Sequence, residues 1–284
     1  MNDDDKVIYL EFFNLKEAPL ILGPDPRFLY MTPQVNETLD KHFYIISRRL
    51  GPVYTSGPVG TGKITLATRL EEKLRIETKP NSHKNKYLIK YYKVPPMLTA
   101  NAFLRDIMYE FDIKTDRSYS KSLNYIADWL VKQYENEIKP VLIIDEAQYL
   151  NSPHLKLLHF FFNYETKREK LLQIVLFGQT DLSDKINKFT ELKSRMYPAA
   201  LTALNRKDTE EMLKFRWFVA GGGNTIPFSP IALDKIFEIS KGLPRDVIKL
   251  ADISLIRAFE LQVNEVTPDH VLYAANDLDL IPKK

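Results

Sequence analysis

Two short stretches hold residues whose types and spacing suit chemistry. The first is Gly57-Pro58-Val59-Gly60-Thr61-Gly62-Lys63-Ile64-Thr65. Its glycines let successive backbone N–H groups converge on an anion without Cβ clashes. Lys63 adds a point charge suited to phosphate oxygens. Val53-Tyr54-Thr55-Ser56 precedes the loop and has β-forming character. Residues 66–74 follow it and read as a helix, whose positive N-terminal end would face the same anion. Strand, glycine-rich loop, Lys and helix form the context of a phosphate cradle. The second stretch is Pro140-Val141-Leu142-Ile143-Ile144-Asp145-Glu146. Four apolar residues followed by two carboxylates describe a fully buried strand that ends at a site. Two adjacent carboxylates repel, so they call for a cation or water. Asp145 suits the water shell of magnesium, and Glu146 suits polarising an attacking water.

One position departs from the cradle pattern G-x-x-x-x-G-K-[ST]. Its last place, whose hydroxyl normally ligates magnesium, holds Ile64. Ile has no donor atom. Thr65 is one helical step on, about 100° away, so its hydroxyl points elsewhere. Triphosphate binding should survive while magnesium-dependent hydrolysis is slowed.

Three more polar residues stand where chemistry is possible. Residues 172–177 read as another buried strand, and Gln179 follows it. Gln179 is either a strand-tip group within reach of a γ-phosphate or a turn residue. Arg195 ends the following helical segment. It is either a surface charge or a cation that reaches a neighbouring subunit's nucleotide, where such a residue raises hydrolysis by roughly 10³-fold or more. Arg245, in Gly242-Leu243-Pro244-Arg245, opens a helix over 246–261. A cation there opposes the helix dipole unless an anion lies nearby.

These groups need a scaffold, and the chain is long enough for one. It has 284 residues, 44% of them apolar and 27% charged. That suits one large or two modest domains. There is no Cys, which excludes disulfides, thiolate metal sites and cysteine nucleophiles. The acidic start resembles no signal peptide, and no apolar run approaches the roughly 20 residues of a membrane span. A soluble, cytoplasmic protein with no membrane partner is the expectation. A net charge of +3 is too mild to indicate nucleic-acid binding by itself.

Along the chain, residues 7–33 read as an irregular approach segment with aromatic anchors Tyr9, Phe12, Phe13, Phe28 and Tyr30. Residues 34–50 read as an amphipathic helix. The basic stretch 73–93, with Lys73, Arg75, Lys79, Lys84, Lys86, Lys90 and Lys93, reads as a solvated loop. A strand over 87–94 and helices over 101–111, 121–134 and 154–164 follow. From Asn205 onward the pattern is helical, with Ser229-Pro230 and Thr267-Pro268 as N-cap and first-turn pairs. The expected fold is an α/β core with a mainly parallel sheet over residues 1–204, then a helical lid over 205–284.

Taken in order, these motifs resemble the AAA+ ATPases of the ExeA/TnsC type, over nearly the full length. The approach segment is similar from Phe13 through Pro26-Arg27-Phe28-Leu29-Tyr30. Gly57–Thr65 resembles Walker A, and Leu142-Ile143-Ile144-Asp145-Glu146-Ala147-Gln148 resembles Walker B. Asn163-Tyr164-Glu165-Thr166, Leu171–Gln179 and Leu182 keep the family order. The resemblance implies a P-loop NTPase core with ATP and magnesium as cofactors. It makes Gln179 the sensor-1 residue, Arg195 the arginine finger and Arg245 the sensor-2 residue. Ile64 stands where the family has Thr.

The resemblance offers two occupations. A TnsC-like protein is an ATPase that oligomerises, as ring or filament, on duplex DNA and links target-selection proteins to a transposase. In some such systems a CRISPR effector directs the target. An ExeA-like protein is a secretion-associated ATPase with a membrane span and a cell-wall-binding region. The chain ends at Lys284 without either, which favours the first. A non-hydrolysing, nucleotide-gated scaffold that binds protein partners only, and a helicase loader or replication initiator, are further alternatives. DNA contact would use the backbone rather than the bases. The region after the second strand offers Thr99, Arg105, Lys114, Arg117, Ser118 and Lys121 for it, each also suited to a solvated surface.

Overall fold

The computed structural model describes residues 8–76, 87–96 and 99–281. The chain divides into two compact units. One holds the sheet, over Pro33–Val59 and Leu66–Leu201. The other gathers the described residues 8–32, the loop Gly60–Thr65 and the helices after Thr202.

In the sheet unit the helices are α1 (Pro33–Ser47), α3 (Ala100–Glu110), α4 (Tyr119–Glu135), α5 (Ser152–Phe161), α6 (Thr180–Lys188) and the short α7 (Thr190–Lys193). Helix α2 (Lys63–Ile76) follows the glycine loop. Five strands, β1 (Val53–Ser56), β2 (Tyr87–Lys93), β3 (Lys139–Asp145), β4 (Gln173–Gly178) and β5 (Tyr197–Ala200), pair in the order β2-β3-β4-β1-β5. Every pairing is parallel. Parallel neighbours need crossovers, and the intervening helices supply them. This is the AAA+ P-loop NTPase fold, with the mainly parallel sheet the sequence implies.

Strands β3 and β4 have almost no polar face, and the structure buries all of β4 and nearly all of β3. Central strands covered on both sides read as such continuous apolar runs. On one face, Leu142, Ile144, Ile174 and Leu176 pack against Phe103, Leu104 and Ile107 of α3, Ile126 and Leu130 of α4, and Leu155, Leu158 and Phe161 of α5. Burial at about 25 cal/mol per Å² makes this apolar layer the main stabilising term for the unit.

Strand β5 was not anticipated. It has four largely exposed residues and contains Pro198, so it carries neither an apolar run nor an alternation. It sits at the sheet edge, where a missing N–H is tolerated. The expected loop over 73–93 is also corrected at both ends. Lys73 and Arg75 belong to α2, and Lys90 and Lys93 to β2, while Lys79, Lys84 and Lys86 lie outside the described residues.

The helical unit comprises α8 (Arg206–Val219), α9 (Pro230–Ser240), α10 (Pro244–Glu260) and α11 (Pro268–Asp277). Ser229 caps α9 by accepting from the Ala232 N–H, and Thr267 and His270 form a capping box on α11. The sequence expectation puts the approach segment with the sheet, whereas its packing lies with these helices. Tyr9 and Phe28 share a core with Leu213, Trp217, Val247 and Leu250. The buried Arg216 guanidinium donates to the carbonyls of Pro19 (2.8 Å), Ile21 (2.6 Å) and Phe28 (3.1 Å). Burial pulls its pKa down to about 10, so it stays charged at neutral pH. A rigid, five-donor fork can tie three points of an irregular segment at once.

Behind β1, buried His42 of α1 is held at both ring nitrogens. Nδ1–H donates to the Thr38 carbonyl at 2.6 Å, and Nε2 accepts from the Thr55 hydroxyl at 2.9 Å. Burial lowers its pKa from 6.5 to about 4. The folded state therefore favours the neutral ring. The stabilisation is complete above pH 6.5, falls as pH drops from 6.5 towards 4, and levels off below. Linkage puts this loss at roughly 3 kcal/mol. Urea unfolding at pH 7 and pH 4 checks it: His42→Gln should lose less stability between the two than the unaltered protein, by that order, and equal losses would contradict it.

Candidate active site

β1 delivers the glycine loop. Its residues are buried throughout, and beyond its end the Gly57 N–H donates to the Gly178 carbonyl at 3.3 Å. Gly60 and Gly62 then take φ of +87° and +88°, left-handed values that strain any residue with a side chain. Among the described residues no atom lies within 4 Å of where a Gly62 side chain would begin. The following helix starts at Lys63, three residues before the sequence expectation, and its first turn has no acidic residue. Positive-φ glycines, a helix N-terminus with no acidic residue in its first turn and a Lys at its first position fit a triphosphate. Thr61 is buried, Thr65 is half-buried, and Pro58 and Val59 carry the loop outward. Ile64 is 40% exposed and contributes no ligand atom.

Within the helical unit Arg245 meets this loop. Its N–H donates to the Gly60 carbonyl at 3.1 Å. A Cβ at Gly60 would stand 2.8 Å from the Arg245 Cβ, so only glycine allows the approach. Arg245 lies in the first turn of α10, directly after Pro244.

In the sheet unit, β3 ends at Asp145, which is 5% exposed. Glu146 then turns left-handed (φ 54°, ψ 34°) and opens a 3-10 turn over Ala147–Tyr149. Its carboxylate is half-buried and accepts from the Gln148 amide at 2.5 Å. An open cleft of about 430 Å³, lined by Lys93, Val94, Pro95, Pro96, Glu146 and Tyr149, leads to it. Gln179 follows β4 as the N-cap residue of α6 without a side-chain cap, and its N–H donates to Gln148 Oε1 at 3.1 Å.

Two polar groups here had no role in the sequence reading. Gln148 appeared as part of a motif only. Tyr91 lay unremarked within the strand expected over 87–94, and neighbours on β2 face opposite ways. Tyr92 packs on Phe103, and its hydroxyl donates to Asp106. The Tyr91 hydroxyl is buried with no hydrogen-bond partner among the described residues. Burial first, then the negative charges of Asp145, Glu71 and Glu146, push its pKa up, so it remains a donor.

Arg195 lies elsewhere. It is exposed, it precedes β5, and its Nη1 donates to Asn163 Oδ1 at 2.6 Å. Because β5 runs parallel to β1, a residue just before β5 sits at the amino edge of the sheet, whereas Asp145 and Gln179 sit at the carboxyl edge. The structure thus separates Arg195 from the carboxylates of its own chain.

The candidate DNA residues are spread over the start of α3, the α3–α4 link and the first turn of α4. Thr99 caps α3, accepting from the Ala102 N–H at 3.2 Å. Ser118 is the N-cap residue of α4, and its hydroxyl pairs with that of Ser120 at 3.1 Å. Arg105, Lys114, Arg117 and Lys121 are exposed, and the Lys114 ammonium lies 5.9 Å from the Tyr125 ring.

Comparison with known proteins agrees with this geometry. Residues 47–186 match the AAA domain family, AAA_22. The chain is 31% identical over 276 residues to the general secretion pathway protein A of Aeromonas hydrophila, covering 95% of this chain and 48% of the relative. It therefore spans about half the length of that relative. Among solved structures, Cdc6p of Pyrobaculum aerophilum superposes with a TM-score of 0.66 at 18% identity, over 89% of this chain and 70% of that one. The ORC1 protein of Aeropyrum pernix, solved in complex with DNA, gives 0.65 at 15% identity, over 92% and 71%. At such identities the structures speak to fold alone. The domain match and the superpositions together support the AAA+ P-loop fold.

The half-exposed Ile64 leaves room for a ligating side chain. Ile64→Thr should raise magnesium-dependent kcat roughly tenfold, the worth of one bond to a charged centre. Phosphate release at saturating ATP checks this, and an unchanged or lower kcat would count against a missing ligand.

Proposed function

We propose that this AAA-domain protein is a nucleotide switch that assembles into oligomers on duplex DNA and regulates transposition. Gly57–Lys63 cradle ATP, with Lys63 on its β- and γ-phosphates. Asp145 would hold magnesium through its water shell, and Glu146 would orient the attacking water. Bound magnesium would supply charge neutralisation at the phosphate oxygens. Gln179 and Arg245 serve as sensors of the γ-phosphate.

One observation carries the oligomer: Arg195 is exposed at the sheet edge opposite Asp145. An arginine so placed can complete a neighbour's site and not its own. Nucleotide then bridges two subunits, and assembly reports its presence. The exposed Arg105, Lys114, Arg117 and Lys121 provide cations for duplex phosphates. A transposase and a target-selection protein, with or without a CRISPR effector, would read the assembly.

A second reading, a secretion-associated ATPase, is favoured by the 31% identity to a secretion pathway protein across nearly the whole chain. Negative-stain imaging with duplex DNA, with and without ATP and magnesium, separates the two. ATP-dependent rings or filaments on DNA are expected. Lys63→Ala should abolish them, and raising salt from 50 to 200 mM should weaken them by orders of magnitude. Assemblies indifferent to DNA, with binding to cell-envelope fractions instead, would replace the DNA reading with the secretion one.

A further inference from the structure

The two tips that flank the nucleotide edge of the sheet are joined by one side chain. Gln148 is 5% exposed and sits in the 3-10 turn after β3. The turn is closed by Tyr149 N–H to Glu146 O (3.0 Å) and Leu150 N–H to Ala147 O (3.1 Å). The Gln148 carbonyl accepts from the Lys185 ammonium of α6. Its side-chain amide has no freedom of assignment. The Gln179 N–H can only donate, so the atom 3.1 Å away is the amide oxygen. The amide nitrogen then faces Glu146, and donates to Oε2 at 2.5 Å. Glu146 Oε1 makes no hydrogen bond among the described residues and is left for water.

The surroundings are cut to let Gln148 reach. A Cβ at Gly178 would stand 3.1 Å from Gln148 Oε1 and 2.7 Å from Leu182 Cδ2. Glu146 sits in a left-handed conformation, which costs a non-glycine residue on the order of 1–3 kcal/mol. That turn brings the Glu146 carboxylate to the residue two positions on. Gln suits the place through having donor and acceptor in one rigid plane. Glu would accept from Gln179 and repel Glu146. Leu would do neither, and Asn is one methylene short.

We propose that Gln148 is a positioning residue that locks the Glu146 carboxylate to the tip of β4, so that the conformation at Gln179 sets whether Glu146 can orient water. It touches neither nucleotide nor water in this role and acts through Glu146. The proposal rests on the reading of Glu146 as the water-orienting base.

The test uses the full chain and four variants. With Gln148→Leu, kcat for ATP hydrolysis should fall roughly 10- to 100-fold, the cost of a base misplaced by about an ångström. The Kd for a non-hydrolysable ATP analogue should stay within about twofold, because uniform binding is untouched. Hydrogen exchange at the Gln179 amide, without nucleotide, should speed up about tenfold on loss of its acceptor. Gln148→Glu should show the same loss of kcat while the Gln179 amide stays protected, since a carboxylate still accepts. Adding Gln148→Leu to Glu146→Gln should change nothing further. The exchange measurement is independent of turnover: an unchanged Gln179 amide in Gln148→Leu overturns the link outright. An inactive Glu146→Gln beside a fully active Gln148→Leu overturns the proposal and leaves the base reading standing. A fully active Glu146→Gln removes the base reading, and the role of Gln148 with it.

Discussion

The site depends on the register of three parallel strands. Ile144 of β3 pairs with Leu176 of β4, and Thr55 and Ser56 of β1 pair with Phe177 and Gly178. Parallel strands all end at the same edge, so this register alone puts Asp145, Gln179 and the start of the glycine loop side by side. A slip of one residue would turn each buried apolar set to the wrong face and separate the tips. The apolar layer on one face of the sheet, with His42 fixing Thr55 of β1, holds that register in place.

Polar geometry then refines what the register brings together. Left-handed backbone at Gly60, Gly62 and Glu146 bends the chain where regular strand or helix would carry it past the site. The helical unit uses a different device. One buried guanidinium ties three carbonyls of a largely irregular segment. Both are solutions to the same requirement, that buried backbone polar groups find partners.

The parts that were legible in the sequence share a physical basis. Residues 141–144 and 174–177 are apolar without interruption, as central strands covered on both sides read. The glycine loop declares itself because only glycine tolerates its φ values. Strand β5 left no such trace, since an exposed edge strand with a proline is held by backbone bonds rather than by side-chain burial. The start of α2 at Lys63 was hidden because the apolar period of the helix begins only at Leu66. The union of the approach segment with the last four helices was illegible for another reason. It rests on contacts between residues about two hundred positions apart, such as Arg216 with Pro19, and no local pattern encodes those. Gln148 was visible as a letter in a motif, but its two bonds depend on the Glu146 turn and on the bare Cα of Gly178.

That long-range union has a consequence for biosynthesis. Tyr9 donates to Asp252, and 243 positions separate them. At a ribosomal rate of about 5–20 residues per second, the interval between their synthesis is roughly 10–50 s. The sheet unit is complete by Leu201, so it can fold while the rest is still being made. Through that time Tyr9, Phe12, Phe13 and Phe28 have no helical core to enter. The growing chain therefore carries a cluster of unsatisfied aromatics ahead of a finished domain. Such a sequence is a natural client for a chaperone that binds exposed apolar segments until the C-terminal helices arrive.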